Sequence, residues 1–285
     1  MAIERILVPL DFSEQADRAL PVALTLAERL GARLGAVVVT GARVDPELDE
    51  REARQHARRA GCVLDDVVVR AGDDVVGGIL AACSPTTLLC LATNARGPVV
   101  DLVARSVGEQ VLCRSTRPVL AVGPAVPAGP WPGVGRLVCC VDGDDPAVTD
   151  PLLAATADWA LGLGCESHLV RVIPPGGAGS DVLDARERLD DVVRRLWARG
   201  LLATSALVTA ADVDAGIVRC AAKGDGTLLV MASHGTSGLA RLRLGSVTLD
   251  VLRRATAPVL VVPVHPQPTS CPPPRHRREP VGSRR

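Results

Sequence analysis

The stretch RILVPLD at residues 5–11 indicates a repeated fold, because a similar stretch, RLVCCVD, follows at residues 136–142. Each is a short apolar run that ends in an aspartate, a pattern typical of a buried β-strand. Each run is followed by a helical stretch that ends at a glycine, Gly31 or Gly164, which is the residue expected just past a helix. The 285-residue chain therefore contains one architecture written twice.

Apolar strand-like segments continue to alternate with helical ones through both copies. Further strands are expected at 34–39, 67–69, 87–92 and 118–122, and again at 168–173, 205–208, 227–232 and 258–262. Such alternation implies a parallel sheet with right-handed crossovers. The sequence predicts an α/β fold of two tandem doubly wound, Rossmann-like domains, each with a five-stranded parallel sheet.

Composition shifts mark the boundaries of these domains. We expect domain 1 at residues 1–124, a proline-rich linker at 125–134, domain 2 at 135–264 and a disordered Pro/Arg-rich tail at 265–285. The linker composition favours a semi-rigid, extended connector. Ser13 and Asp145 are candidate N-caps, and Pro21 and Pro151 predict helices that are kinked or begin later.

Charge and composition exclude several classes of protein. There are 32 basic and 32 acidic residues and only 1% aromatics, which argues against a nucleic-acid partner. The N-terminus resembles no secretory signal and no apolar stretch is long enough to span a bilayer, so we expect a cytoplasmic protein with no membrane partner. The nine cysteines form no C-x-x-C pair and are interpreted as reduced core thiols.

The candidate site lies where the strands of the second half end, because open α/β sheets bind ligands there. Asp142 ends the first strand of that half, and Gly245 to Thr248 begin a helix after the fourth. A helix N-terminus offers free N–H groups to an anion, and Gly245 would let a phosphate approach the backbone. By glycine spacing alone the motif is weak, and Asp11 and Asp142 can also be read as helix caps.

At these residues the chain becomes recognisable. The stretch MASHGTSGLARLRLGSV at 231–247, the closing PVLVV at 258–262 and the opening ILVPLDFS at 6–13 resemble universal stress proteins. The resemblance covers roughly residues 3–124 and 134–263. It implies a site for ATP, with or without Mg²⁺, built on glycine, two residues, glycine, nine residues, then Gly-Ser or Gly-Thr. Gly235 and Gly245-Ser246 match this motif, while Ala232 replaces its first glycine.

The resemblance implies a role for each site residue. Asp142 and Val172 would flank the adenine or ribose. The ribose and phosphates would be held by Ala232, Gly235, Gly245, Ser246, Val247 and Thr248. The expected binding residues of the second half are Asp142, Val172, Met231, Ala232, His234, Gly235, Gly245, Ser246, Val247 and Thr248. The first half retains Pro9, Leu10, Asp11 and Val39. No catalytic residue is assigned, and no metal ligand is identified.

The first half lacks both motif glycines that the second half retains. Ala95 stands for Gly235, and Arg105 stands for Gly245. A left-handed alanine costs roughly 1–2 kcal/mol relative to glycine, and the Arg105 side chain would occupy the place of a phosphate. We therefore predict weak or absent nucleotide binding in the first half. The alternative is that the Arg105 guanidinium pairs with a phosphate in an altered pose.

Three functions remain open from the sequence. The leading hypothesis is a regulatory ATP-binding module of stress adaptation. The second is a slow ATP hydrolase or phosphotransferase, for which Asp142 is the evident metal-holding candidate. The third is a nucleotide-free protein-interaction scaffold. The resemblance also implies pairing of the two domains through their last strands, 118–122 and 258–262, or dimerisation of the chain.

Overall fold

The computed structural model describes residues 3–41, 45–93, 106–141, 145–176, 179–224, 226–233 and 244–264. Domain 1 denotes the elements of the first copy. Its strands are β1 (Arg5–Pro9), β2 (Arg33–Thr40), β3 (Asp66–Ala71), β4 (Thr87–Ala92) and β5 (Val119–Val122). Its helices are α1 (Glu14–Asp17), α2 (Ala19–Leu30), α3 (Pro46–Arg59), α4 (Val75–Ala81) and α5 (Val107–Arg114).

Domain 2 denotes the elements of the second copy. Its strands are β6 (Arg136–Cys140), β7 (Glu166–Ile173), β8 (Ala203–Thr209), β9 (Thr227–Ala232) and β10 (Val259–Val262). Its helices are α6 (Pro146–Leu163), α7 (Gly179–Trp197), α8 (Val213–Ala221) and α9 (Ser246–Arg254). The order of elements confirms the doubly wound repeat that the sequence predicts.

The helix ends follow the local signals in the sequence. Ser13 caps α1 by accepting the Ala16 N–H, and Asp145 caps α6 by accepting the Ala147 N–H. Gly31 and Gly164 end α2 and α6 in the left-handed conformation, at φ 64° and 60°. The two prolines act differently, because α2 begins two residues before Pro21 whereas α6 continues through Pro151.

The strands of the two domains form one sheet, in the order β3-β2-β1-β4-β5-β10-β9-β6-β7-β8. Neighbouring strands within each domain are parallel, as predicted. The last strands, β5 and β10, pair with each other in antiparallel register, with Leu120 opposite Leu260. Pairing these two apolar strands covers the edge that each domain would otherwise expose.

Both faces of this sheet are covered by cores that run through the two domains. One core lies under α2, α3, α6 and α7, and the other under α4, α5, α8 and α9. Cys139 and Cys140 point into opposite cores, as expected for neighbours on a strand. Burial raises the pKa of the Cys139 thiol to about 12, which fits a packing role.

The linker is packed against domain 1. Val126 and Val134 are buried in the core under α2. The Arg18 guanidinium donates to the carbonyls of Pro124, at 2.8 Å, and Val126, and the Thr25 hydroxyl donates to the Trp131 carbonyl at 3.2 Å. Within the described ranges, no helix is both long and apolar enough to cross a membrane.

Candidate functional site

The candidate site lies at the carboxyl ends of β6, β7 and β9. The chain leaving β6 stays bonded to β7, since the Val141 N–H donates to the Val170 carbonyl at 2.9 Å. The chain leaving β9 stays bonded to β10, since the Ser233 N–H donates to the Val262 carbonyl at 2.8 Å. The backbone around this edge is therefore held in place by the sheet itself.

The start of α9 is anchored to the end of β9 by two bonds. The Gly245 N–H donates to the Ser233 carbonyl at 2.9 Å, and the Thr248 hydroxyl donates to the Ala232 carbonyl at 3.0 Å. The Ser233 hydroxyl in turn accepts the Val264 N–H at 3.1 Å. These contacts bring together the two ends of the loop whose sequence resembles the phosphate motif.

The N-terminus of α9 has no side-chain cap. Gly245 is the N-cap residue, at φ −60° and ψ 146°, and it has no side chain with which to accept a helical N–H. The Leu249 N–H donates to the Gly245 carbonyl at 3.0 Å, whereas the preceding N–H groups, those of residues 246–248, have no hydrogen bond to the described part of the chain. Since the φ of Gly245 is open to any residue, the glycine matters here for the bare backbone it presents.

The structure places the other predicted residues around this N-terminus. Ser246 is exposed, Ala232 and Val247 are half-buried, and Met231 and Thr248 are buried. The Thr248 hydroxyl proton is already used by Ala232, so Ser246 is the hydroxyl left to donate to a ligand. Three predicted residues, Asp142, His234 and Gly235, lie outside the described residues.

Val172 and its counterpart Val39 both pack against a helical glycine. A Cβ on Gly216 of α8 would lie 2.8 Å from Val172 Cγ1, and one on Gly78 of α4 would lie 3.0 Å from Val39 Cγ2. Val39 also lines an open cavity of about 500 Å³ between α4 and β3. Each valine therefore fixes the distance between its helix and the sheet, near the carboxyl ends of the strands where a ligand is expected.

In domain 1 the end of β1 leads into a turn that is bonded internally. The Leu10 N–H donates to the Val37 carbonyl at 2.9 Å, so the end of β1, including Pro9, is held as in domain 2. The Asp11 carboxylate accepts the Ser13 N–H at 3.1 Å and the Ser13 hydroxyl at 2.5 Å. This exposed carboxylate thus shapes the turn into α1, whose N-cap is Ser13 and not Asp11.

A feature that the sequence analysis missed lies at the start of α5. Ser106 is the N-cap, and its hydroxyl accepts the Glu109 N–H at 3.2 Å. The signal is visible in the sequence, because Ser-x-x-Glu at 106–109 is a capping box. The neighbouring Ala95 and Arg105, on which the sequence argument about domain 1 rests, lie outside the described residues.

No group of three or more metal-ligating side chains is present in the described ranges, which exclude Asp142. Beside the candidate site, burial raises the pKa of the Cys140 thiol at the end of β6 well above its usual range. That thiol is therefore protonated at neutral pH and is a packing group.

Comparison with known proteins identifies the family. The model of the "Universal stress protein family" matches the chain twice, at residues 2–123 and 133–263. The chain belongs to the universal stress protein family. It is a tandem member, since each match spans one of the two domains. None of the curated proteins compared with this universal stress protein matches it significantly.

Solved structures agree with this assignment at the level of the fold. A universal stress protein from Archaeoglobus fulgidus DSM 4304 is 21% identical, with a TM-score of 0.65 over 91% of this chain and 96% of that one. A putative universal stress protein from Pseudomonas aeruginosa UCBPP-PA14 is also 21% identical, with a TM-score of 0.61 over 92% and 94%. A shorter match, 25% identical with a TM-score of 0.38 over 45% of this chain and 96% of that one, is a universal stress protein from A. fulgidus in complex with dAMP.

Proposed function

We propose that this universal stress protein is a regulatory ATP-binding protein whose nucleotide is held by domain 2. The observation that carries the proposal is the uncapped N-terminus of α9, where Gly245 leaves the first helical N–H groups without an acceptor from the described residues. Backbone N–H groups at a helix N-terminus are a general means of binding phosphate. Ser246, Val247 and Thr248 would supply these groups.

The first turn of α9 leaves its N-terminus open to an anion. It contains no acidic residue, so no carboxylate of that turn competes with a phosphate for the free N–H groups. The helix dipole contributes only about 0.3–1 kcal/mol at such a position, so several N–H donors must act together with the Ser246 hydroxyl. A polyphosphate, with several charged oxygens, fits this requirement better than a single carboxylate.

The rigidity of the site also supports the proposal. Because Gly245 and Thr248 are both bonded to the end of β9, the N–H groups are already oriented in the free protein. A backbone that is already ordered loses little conformational entropy on binding, so less of the interaction energy is needed to order it. The adenine and ribose would then lie toward Val172 and Asp142, and any Mg²⁺ would accompany the phosphates.

The test is calorimetric titration of the full chain with ATP, comparing wild type with Gly245→Arg. This substitution copies Arg105 of domain 1, and the φ of Gly245 accommodates it. We expect ATP affinity to fall at least about ten-fold, equivalent to about 1.4 kcal/mol. Gly162→Arg, on α6 where an added Cβ meets nothing within 4 Å, is the matched control and should bind as wild type does. Unchanged affinity of Gly245→Arg, or no binding of ATP by the wild type, would refute the proposal.

A further inference from the structure

We infer that α5 of domain 1 is closed to phosphate by its own N-cap, Ser106, and by the first-turn carboxylate of Glu109, so that each chain holds a single nucleotide. The inference rests on the proposed function, because it concerns which of two related helix N-termini accepts the polyphosphate. The cap is a further determinant beside the substitutions at Ala95 and Arg105.

The two helices are equivalent by position. Each follows the fourth strand of its domain and precedes the fifth, and the spacing from β4 to β5 equals that from β9 to β10. In this alignment Ser106 corresponds to Ser246, and Glu109 corresponds to Leu249. The difference between the two N-termini therefore comes from the residues themselves and from how each helix begins.

The helices begin one residue apart. In α5 the cap is Ser106, whose hydroxyl accepts the Glu109 N–H at 3.2 Å, and the Gln110 N–H donates to the Ser106 carbonyl at 3.0 Å. In α9 the cap is Gly245, and the equivalent serine, Ser246, is the first residue of the helix. The N–H of the third helical residue is thus satisfied by the cap in α5, at Glu109, whereas in α9 that of Thr248 has no acceptor among the described residues.

The charges at the two N-termini also differ. Glu109 places a carboxylate in the first turn of α5, whereas Leu249 places an apolar side chain in the first turn of α9. A carboxylate interacts favourably with the positive end of a helix. A phosphate approaching α5 would therefore have to displace the Ser106 hydroxyl and also face the Glu109 charge. The Ser106 hydroxyl thus takes a hydrogen bond that a phosphate oxygen could accept, and the Glu109 carboxylate supplies a negative charge that a phosphate would supply.

A first experiment follows amide hydrogen exchange by NMR, in the full chain, with and without ATP. In the free protein the Glu109 N–H should exchange slowly, and Ser106→Ala should accelerate it. Saturating ATP should protect the N–H groups of residues 246–248 and leave those of 107–109 unchanged. Protection at both helices would overturn the inference while leaving the proposed function intact. Protection at neither would refute the proposed function, and the Ser106→Ala comparison would still test the cap.

A second experiment places the carboxylate of Glu109 at the equivalent position of domain 2. Leu249→Glu puts a negative charge in the first turn of α9, and we expect it to weaken ATP binding about ten-fold in calorimetry. Leu249→Gln, which has nearly the same shape without the charge, and Leu249→Met, which stays apolar, should both bind as wild type does. Wild-type affinity in Leu249→Glu would overturn the inference, as would two ATP molecules bound per wild-type chain.

Discussion

At the scale of single residues, the same position in the two domains has acquired different chemistry. In domain 1 the Arg5 guanidinium reaches across Gly35 to pair with Asp66, and a Cβ on Gly35 would lie 2.7 Å from that carboxylate. In domain 2 the register places His168 beside Thr204, and the imidazole Nδ1 lies 2.8 Å from the Thr204 hydroxyl. Burial, together with nearby Arg136 and Lys223, lowers the pKa of His168 below 6.5.

This shift predicts a loss of stability in mild acid. Between the lowered folded pKa of His168 and its unfolded value near 6.5, the unfolded chain binds more protons, so stability rises with pH. The contribution is complete above pH 6.5 and is lost as the pH falls below it. His168→Gln, which preserves a polar partner for Thr204, should reduce the fall in urea midpoint between pH 7.5 and 5.5. An identical fall in both proteins would contradict this assignment.

At the scale of elements, glycines set how closely the helices approach the sheet. Gly78 of α4 and Gly216 of α8 occupy equivalent places, and each lies against the valine near the end of the second strand of its domain. Ala210 adds a further contact, 3.2 Å from a Cβ on Gly216. This packing lies near the carboxyl ends of β2 and β7, so it also positions the strand ends that line the candidate site in each domain.

Gly216→Ala should therefore destabilise the protein although it adds a better helix former. Overpacking against Val172 lowers the free energy of unfolding by about 1–3 kcal/mol, whereas the higher helix propensity of alanine raises it by about 1 kcal/mol. In a Val172→Ala background the clash is relieved and the same substitution should become stabilising. Gly162→Ala, in open space on α6, should stabilise by up to about 1 kcal/mol and serves as the control. Urea unfolding of wild type, Gly216→Ala, Val172→Ala and the double variant gives the effect of Gly216→Ala on the free energy of unfolding in each background. If that effect has the same sign in both backgrounds, the contact between Val172 and Gly216 is refuted.

At the scale of the whole molecule, the two domains are joined by more than the covalent linker. The β5–β10 pairing makes one sheet, and Gly123, the first residue after β5, lies directly against the backbone of α9. A Cβ on Gly123 would overlap the Leu252 carbonyl oxygen. The helix that carries the proposed phosphate site is thus packed against the segment that leaves domain 1.

Gly123→Ala should consequently disturb the contact between the domains. Its Cβ meets backbone that cannot move aside, so we expect a cost of at least about 1–3 kcal/mol. Calorimetry should show a single unfolding transition for wild type and a lower or divided transition for the variant. Gly41→Ala, where an added Cβ meets nothing within 4 Å, should leave the profile unchanged. A variant that unfolds in one transition at the wild-type temperature would show that this contact does not couple the domains.

Much of the fold could be predicted because its signals are local. The bounds of β4 and β9 were predicted without error, and Ser13, Asp145, Gly31 and Gly164 end their helices as expected. The position of the candidate site followed from the strand ends and the resemblance. The cap at Ser106 is equally local, since Ser106 and Glu109 are three residues apart, although sequence reasoning missed it.

The repeat, the alternation of strands and helices, and the residues that begin and end them can be predicted from the sequence. These features depend on periodicity and on hydrogen bonds between residues a few positions apart. The folded structure was needed to show that β5 and β10 pair in antiparallel register, that Gly123 contacts Leu252, and that Val172 packs against Gly216. Such contacts join residues far apart in the chain, and they are selected by the shape of the whole packed core, which no short stretch of sequence contains.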